Sequence, residues 1–226
     1  MKILVYNNGT NRMETYYRNL NDPMPYSEDK YLSVKEFRGS SKSDVLWTDK
    51  NTIQAFNRLR NSFGRPIKVG YGFKRIGEGG HSGQSQHYAG KALDIGQGMT
   101  NADRDKLRSL ASKISAYTYI EPKSLTPTWA HIDTRDKNAA CSTGGYPLLK
   151  LGRKGTYVAT LQDALTTLGY STGGIDGIFG NNTRNAVIRY QRANGLSADG
   201  IVGCNTWRSL QEAVVGTGPT STTINW

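Results

Sequence analysis

From Val158 onward the apolar positions fall three and four residues apart. Val158, Leu161, Leu165 and Leu168 form one stripe of an amphipathic helix that stops at Gly169. Ala186, Val187, Tyr190 and Ala193 mark a second helix, and Trp207, Leu210 and Val214 a third. Earlier in the chain the periods mix. Ile53, Phe56, Leu59 and Phe63 trace a helix ending at Gly64, while Ile67, Val69 and Tyr71 alternate as a strand. Thr100 with Asp103 resembles a capping box that opens a helix carrying Leu107, Leu110 and Ile114. Ala92–Ile95, Tyr117–Ile120 and Trp129–Asp133 are the remaining strand candidates. The expected fold is α+β, a small antiparallel sheet with flanking helices, followed by an all-α three-helix domain.

An internal echo sets the spacing of those helices. Asp176-Gly177-Ile178-Phe179-Gly180-Asn181-Asn182-Thr183 recurs as Asp199-Gly200-Ile201-Val202-Gly203-Cys204-Asn205-Thr206, with six of eight positions identical. Each copy offers a glycine-rich turn and then an Asn or Thr suited to capping the next helix. Three short helices with two matching turns make a bundle of about 70 residues, near the size at which one core is only just sufficient. The small, polar, glycine-containing stretch Asn138–Gly145 reads as a connection. The expected organisation is a first domain over 1–137, a linker over 138–146, the helical domain over 147–215 and a flexible tail over 216–226.

Composition narrows the class. With 226 residues and 36% hydrophobic positions the chain has room for two ordinary globular domains, and no apolar run approaches the roughly 20 residues of a membrane span. The opening Met1–Asn8 has one positive charge and four or five apolar residues, short of a secretory signal. Delivery by another route, phage lysis or non-classical secretion, is therefore the expectation for a substrate outside the membrane. The net charge of +11 divides as +8 up to Tyr146 and +3 beyond it. Such a surface suits polyanions. No recognition helix arrays the basic residues and no RNA-binding aromatic signature is present, so an anionic wall polymer is a better partner than nucleic acid. A monomer is expected. Cys141 and Cys204 are too few for a cysteine metal site. They fit a single bridge closing a loop of about 63 residues, on the order of 4 kcal/mol in the chain-entropy model, or equally two separate buried thiols.

The candidate chemistry rests on two of the three histidines. His87 and Asp94 stand in Ser85-Gln86-His87-Tyr88-Ala89-Gly90-Lys91-Ala92-Leu93-Asp94, and His131 follows in Trp129-Ala130-His131-Ile132-Asp133. Two imidazoles and one carboxylate suit a tetrahedral Zn²⁺ with an open fourth corner, the pattern of a catalytic site. The first segment resembles the S-x-H-x-x-G-x-A-x-D signature of the M15 zinc peptidases, D-alanyl-D-alanine carboxypeptidases and L-alanyl-D-glutamate endopeptidases of bacterial cell walls. That resemblance implies zinc held by His87, Asp94 and His131 and an α+β catalytic domain. Gly152-x-x-Gly155, Leu161-Gln162, Leu168-Gly169-Tyr170, the two Asp-Gly turns and Tyr190-Gln191 together resemble the peptidoglycan-binding domain type 1, over roughly Pro147 to Val214. This second resemblance implies a three-helix module that holds a wall hydrolase, of endolysin or autolysin type, on peptidoglycan.

One position departs from the first pattern. M15 enzymes usually carry an acidic residue three positions before the last histidine, where this chain has Thr128, and threonine cannot act as a general base. Two carboxylates are candidates in its place. Glu121 heads a loop whose Pro122 and Pro127 can fold it back toward the metal. Asp133 shares a strand face with His131. Glu121 is preferred, because Asp133 equally suits a group that orients a ligand imidazole. Arg75 in Gly70-Tyr71-Gly72-Phe73-Lys74-Arg75 occupies the place of the family's S-G-Y-R arginine and is the candidate oxyanion stabiliser, with Lys74 competing. Ser85 matches the signature serine and suits a supporting hydrogen bond. His81 matches no ligand position and reads as the rim of a substrate cleft or, by preference, plain surface, and Tyr88 and Trp129 are placed to line the cleft, although aromatics beside strand residues are more often core.

Overall fold

The computed structural model describes residues 1–81, 84–141 and 145–215. The expected tail and three residues of the expected linker, 142–144, lie outside the described residues. Strand β1 (Lys2–Asn7) buries Ile3, Leu4 and Val5 in succession and pairs antiparallel with β2 (Arg12–Tyr17). Helix α1 (Val34–Arg38) is opened by a capping box between Ser33 and Glu36. Strand β3 (Val45–Asp49) then pairs parallel with β1, giving a three-stranded sheet in the order β2-β1-β3. Alternation does not reveal this sheet, because a strand covered on both faces reads as a continuous apolar run.

Helix α2 (Lys50–Phe63) begins where the Asp49 carboxylate accepts the Thr52 amide at 2.7 Å and ends at Gly64, whose φ of 82° provides the left-handed stop. Its buried stripe is Ile53, Phe56, Leu59 and Phe63, as the spacing predicts. Strands β4 (Val69–Tyr71) and β5 (Ala92–Ile95), helix α3 (Asn101–Ala111), and strands β6 (Tyr119–Ile120) and β7 (Ala130–Asp133) complete the first part. The four strands form one antiparallel sheet in the order β4-β5-β7-β6. Thr100 caps α3 by accepting the Asp103 amide, but the helix stops before Ile114, which follows in a turn. One continuous core runs from Ile3 and Val5 through Trp47, Phe56 and Leu59 to Leu93, Ile95 and Ile132.

The C-terminal helices are α4 (Thr156–Thr167), α5 (Asn181–Ala193) and α6 (Cys204–Val215). The repeated motif does something other than cap. Gly180 stands at the start of α5 without a side-chain cap, and Thr183 instead turns its hydroxyl back to the Ile178 carbonyl at 3.3 Å. Gln162 of α4 clamps the first Asp-Gly turn. Its amide donates to Asp176 at 2.7 Å and to Thr183 at 3.1 Å, while its carbonyl accepts from the Gly177 amide at 2.8 Å. Gln191 of α5 does the same for the second turn, with Asp199, Thr206 and Gly200 at 3.1, 3.2 and 2.9 Å. The echo in sequence is thus a glutamine-locked turn used twice. Cys141 and Cys204 are bridged, which ties the segment before the bundle to the start of α6.

Helix α4 is buried from Thr156 to Leu165 on nearly every side, because it lies between its own bundle and the first part of the chain. Ala159 joins the first core, Ala89 joins the core of the bundle, and Ile76, Tyr88, Ala164 and Val214 pack together across the junction. Among the described residues no helix is long and apolar enough to cross a membrane.

Candidate metal centre

Two strands and a turn bring the site together. Asp94 of β5 and His131 of β7 are direct partners on their ladder, and Tyr71 of β4 faces Asp94 from the other side. Just past β6, the Glu121 amide donates to the His131 carbonyl at 2.9 Å, which extends the row by one residue. Opposed residues on an antiparallel ladder share a face with Cβ atoms about 4.5–5.5 Å apart. Tyr71, Asp94, His131 and Glu121 therefore stand in line on one face. The turn 85–90 then delivers His87. Its amides close on themselves, Tyr88 to the Ser85 carbonyl at 3.1 Å and Gly90 to the His87 carbonyl at 3.1 Å, and the Ser85 hydroxyl accepts the His87 amide at 3.3 Å. Gly90 has φ of 63°, and a Cβ there would lie 1.8 Å from the Trp47 carbonyl oxygen. Only glycine lets the turn pass so close to β3.

The three side chains converge, with ligand atoms of His87, Asp94 and His131 all within 4.8 Å of one another. His87 is buried, and its Nδ1 donates to the Gly72 carbonyl at 3.0 Å, which leaves Nε2 as the bare nitrogen 3.4 Å from Asp94 Oδ1. His131 places Nδ1 2.9 Å from the same Asp94 oxygen and Nε2 3.2 Å from Asp133 Oδ2. Asp133 is fully buried, and the Arg135 Nε holds both its oxygens at 2.8 and 2.9 Å. Each imidazole thus has a hydrogen-bond acceptor behind it and one nitrogen facing the common point, the arrangement that fixes the tautomer of a metal ligand. The donor set fits zinc.

The electrostatics match. Burial alone would raise the Asp94 carboxyl, yet the hydrogen bond and charge of His131, with His87 beside it, hold it well below the usual carboxylate range. Burial would likewise lower His131, but Asp133 and Asp94 outweigh it and push the imidazole up to about 9. At neutral pH without a cation, His131 therefore carries the positive charge that balances this pair of carboxylates. A divalent ion bound at the cluster displaces that proton. Asp133→Asn is expected to weaken zinc binding by about 10- to 100-fold, the usual cost of losing such an outer partner, measured by competition with a chromophoric chelator.

Two expectations need correction. Arg75 is not brought to the cluster: its guanidinium Nε donates at 2.8 Å to Asp163 of α4, a fully buried carboxylate that captures the cation at the junction. Burial pushes the Asp163 carboxyl up and the pairing with Arg75 opposes it. His81, for which surface is preferred over the cleft rim, instead stacks on His87 with ring centroids 4.7 Å apart and packs against Tyr71 and Tyr88 at 4.8 and 5.7 Å. Burial, then the neighbouring His87, pushes its imidazole down to about 3, so it stands as a neutral wall of the site. No spacing rule points to it, because its contact is made by a glycine loop folding back.

Of the two candidate bases, Asp133 is sealed behind His131. Glu121 is half-buried on the row of ligands, and among the described residues no hydrogen bond or ion pair holds its carboxylate. The loop after it is pinned from α3 by Arg108, which donates to the Thr126 and Trp129 carbonyls at 2.6 and 2.5 Å. Thr128 in that loop is exposed.

Residues 154–210 match the family described as "Putative peptidoglycan binding domain". A peptidoglycan-binding type 1 domain is therefore present, and it coincides with helices α4 to α6. The chain is 57% identical over 56 residues to the N-acetylmuramoyl-L-alanine amidase CwlM of Mycobacterium tuberculosis, a match covering 25% of this chain and 14% of that protein. It is 47% identical over 64 residues to the N-acetylmuramoyl-L-alanine amidase CwlL of Bacillus licheniformis, covering 26% of this chain and 18% of that one. Among solved structures, a peptidoglycan-binding protein from Clostridioides difficile, in complex with glutamine hydroxamate, is 43% identical over 32% of this chain and 45% of its own, with a TM-score of 0.30. The chain spans less than a fifth of the length of the two curated relatives.

Proposed function

We propose that the chain is a zinc-dependent peptidoglycan peptidase of the M15 type, which hydrolyses a peptide bond in the stem peptide while its helical domain holds the wall. The observation that carries this reading is the convergence of His87, Asp94 and His131, each imidazole backed by its own hydrogen-bond acceptor, in a chain that also bears a peptidoglycan-binding domain. A zinc ion held by these three residues supplies Lewis acidity at a scissile carbonyl and acidifies water there. The protein groups do the rest. Asp133 and the Gly72 carbonyl orient the imidazoles, His81 and Tyr71 wall the pocket, and Glu121 takes a proton at its carboxylate and returns it to the leaving amine nitrogen. Action at the bacterial cell wall follows from the bound polymer, and the +11 charge favours anionic wall polymers beside it.

Glu121→Gln is expected to lower kcat by about 10²- to 10⁴-fold, the range of general acid–base catalysis, while the zinc content measured by atomic emission stays unchanged.

A non-catalytic wall-binding protein whose metal site is structural or degenerate is the second reading, favoured by Thr128 standing where the M15 pattern has an acid. Mass spectrometry of fragments released from purified sacculi separates the two. New amino termini inside the stem peptide, lost on adding a chelator, support the peptidase, and the fragment masses tell D-Ala-D-Ala trimming from L-Ala-D-Glu cleavage. Binding without release supports the second reading. Release by cutting the muramoyl–L-alanine amide, the bond named by the curated relatives, contradicts the peptidase.

A further inference from the structure

The turn that presents His87 is held partly from outside its own domain. Its Ser85 carbonyl accepts the Tyr146 hydroxyl at 2.6 Å, the Gln86 side-chain oxygen accepts the Tyr157 hydroxyl at 2.9 Å, and the Tyr88 carbonyl accepts the Thr160 hydroxyl at 3.0 Å. Tyr157 and Thr160 belong to α4, and Tyr146 directly precedes the bundle. Tyr146, Tyr157, Thr160, Gln86 and His87 are all buried. The Tyr157 hydroxyl also accepts the Asp136 amide at 3.1 Å, and its ring lies 5.4 Å from the ammonium of Lys91, the residue that follows the turn. That ammonium is paired with Asp49 at the start of α2. A wall-binding module serving only as a tether needs none of these contacts. A buried polar group left without a partner costs about 1–3 kcal/mol, so within the dry junction each of these hydroxyls is held to its acceptor on the turn.

We propose that the peptidoglycan-binding module is a working part of the metal site: Tyr146, Tyr157 and Thr160 are positioning residues that fix the turn 85–90 and so set where His87 Nε2 stands relative to Asp94 and His131. The inference rests on the zinc reading of the site, though not on hydrolysis. Its physical basis is tolerance. A ligand constellation must be held within about 0.5 Å to bind its ion well, by neighbours whose own positions are locked. His87 is the one ligand of the three that sits on a turn instead of the β5/β7 ladder. The ladder aligns Asp94 and His131 through backbone pairing. The turn has three internal amide bonds; the first part of the chain holds it at His87, Tyr88 and Gly90 through Gly72, Trp47 and Thr48, while Ser85 and the Gln86 side chain, which lead into His87, are held by Tyr146 and Tyr157, and Thr160 adds a second bond to the Tyr88 carbonyl.

The test uses the full chain and measures zinc affinity by competition with a chromophoric chelator, alongside unfolding by urea and pull-down on purified sacculi. Tyr157→Phe and Thr160→Val each remove one hydroxyl and little volume. The expected result is a loss of zinc affinity of about 10-fold in each and about 100-fold in the double variant, the scale of outer-partner losses, with binding to sacculi retained. Gln191→Leu is the control. It loosens the second glutamine-locked turn within the bundle, away from the 85–90 turn, so it is expected to lower the urea midpoint and leave zinc affinity unchanged. If the Tyr157 and Thr160 variants fold and bind zinc as tightly as the parent, or if Gln191→Leu weakens zinc equally, the positioning role is overturned. A parent chain that binds no stoichiometric zinc overturns the zinc reading itself, and the positioning role with it. Should the double variant fail to fold, Tyr146→Phe, which loses only the bond to Ser85, carries the same expectation.

Discussion

His131→Ala is expected to abolish stoichiometric zinc binding and to lower hydrolysis of sacculi by a factor on the order of 10³ or more, well beyond the loss caused by removing an outer partner. Three features make this residue the most consequential single change. It supplies one of three convergent donors, it bridges Asp94 and Asp133 through its two ring nitrogens, and it stands opposite Glu121 on the ladder. Removing it takes away the imidazole that joins Asp94 to Asp133. The change is read by metal analysis after dialysis and by turbidity of a sacculus suspension. Retained zinc at full stoichiometry in His131→Ala places the ion elsewhere.

Gly90→Ala is expected to have the largest effect on stability. The new methyl would sit 1.8 Å from the Trp47 carbonyl oxygen, an atom fixed within the β1/β3 ladder, and would occupy a φ of 63° that L residues seldom adopt. Neither strain is relieved by rotating a side chain. The turn has to move, and with it the Thr48 hydroxyl bond to the Gly90 carbonyl at 2.7 Å and the Trp47 indole bond to the Tyr88 carbonyl at 2.9 Å. A loss of about 4 kcal/mol or more is expected, the scale reached when backbone strain and broken buried hydrogen bonds combine. Urea denaturation measures it, and the same variant is expected to bind zinc weakly because His87 rides on this turn. A change below about 1 kcal/mol, the ordinary level for point substitutions, contradicts the tight passage.

Much of this arrangement is legible in the chain. The stripe Ile53, Phe56, Leu59 and Phe63 and its glycine stop appear as α2, and the four strands around Asp94 and His131 pair as a single antiparallel sheet. The cluster is legible because two strand segments, β5 and β7, set Asp94 and His131 opposite each other and the glycine of the signature has a steric reason to be there. The rest fails for identifiable causes. Strand β1 is covered on both faces and shows no period of two. Thr156, Thr160, Gln162 and Asp163 look like the wet face of an amphipathic helix and are in fact buried, because the face they form is packed against the turn, the repeat and Arg75. Local periodicity carries no information about a polar junction between distant segments, so Arg75 reads as a catalytic cation when its partner lies 88 positions away. His81 escapes for a related reason: its place is set by a loop closing onto His87, not by an element with a period.

X-ray absorption at the zinc edge on the zinc-loaded chain reads the donor set itself. One zinc per chain is expected in a nitrogen and oxygen environment, with the scattering of two imidazoles and one carboxylate and room for a small exogenous ligand. Sulfur in that environment, a third imidazole from His81 closing the remaining corner, or zinc bound only substoichiometrically contradicts that expectation.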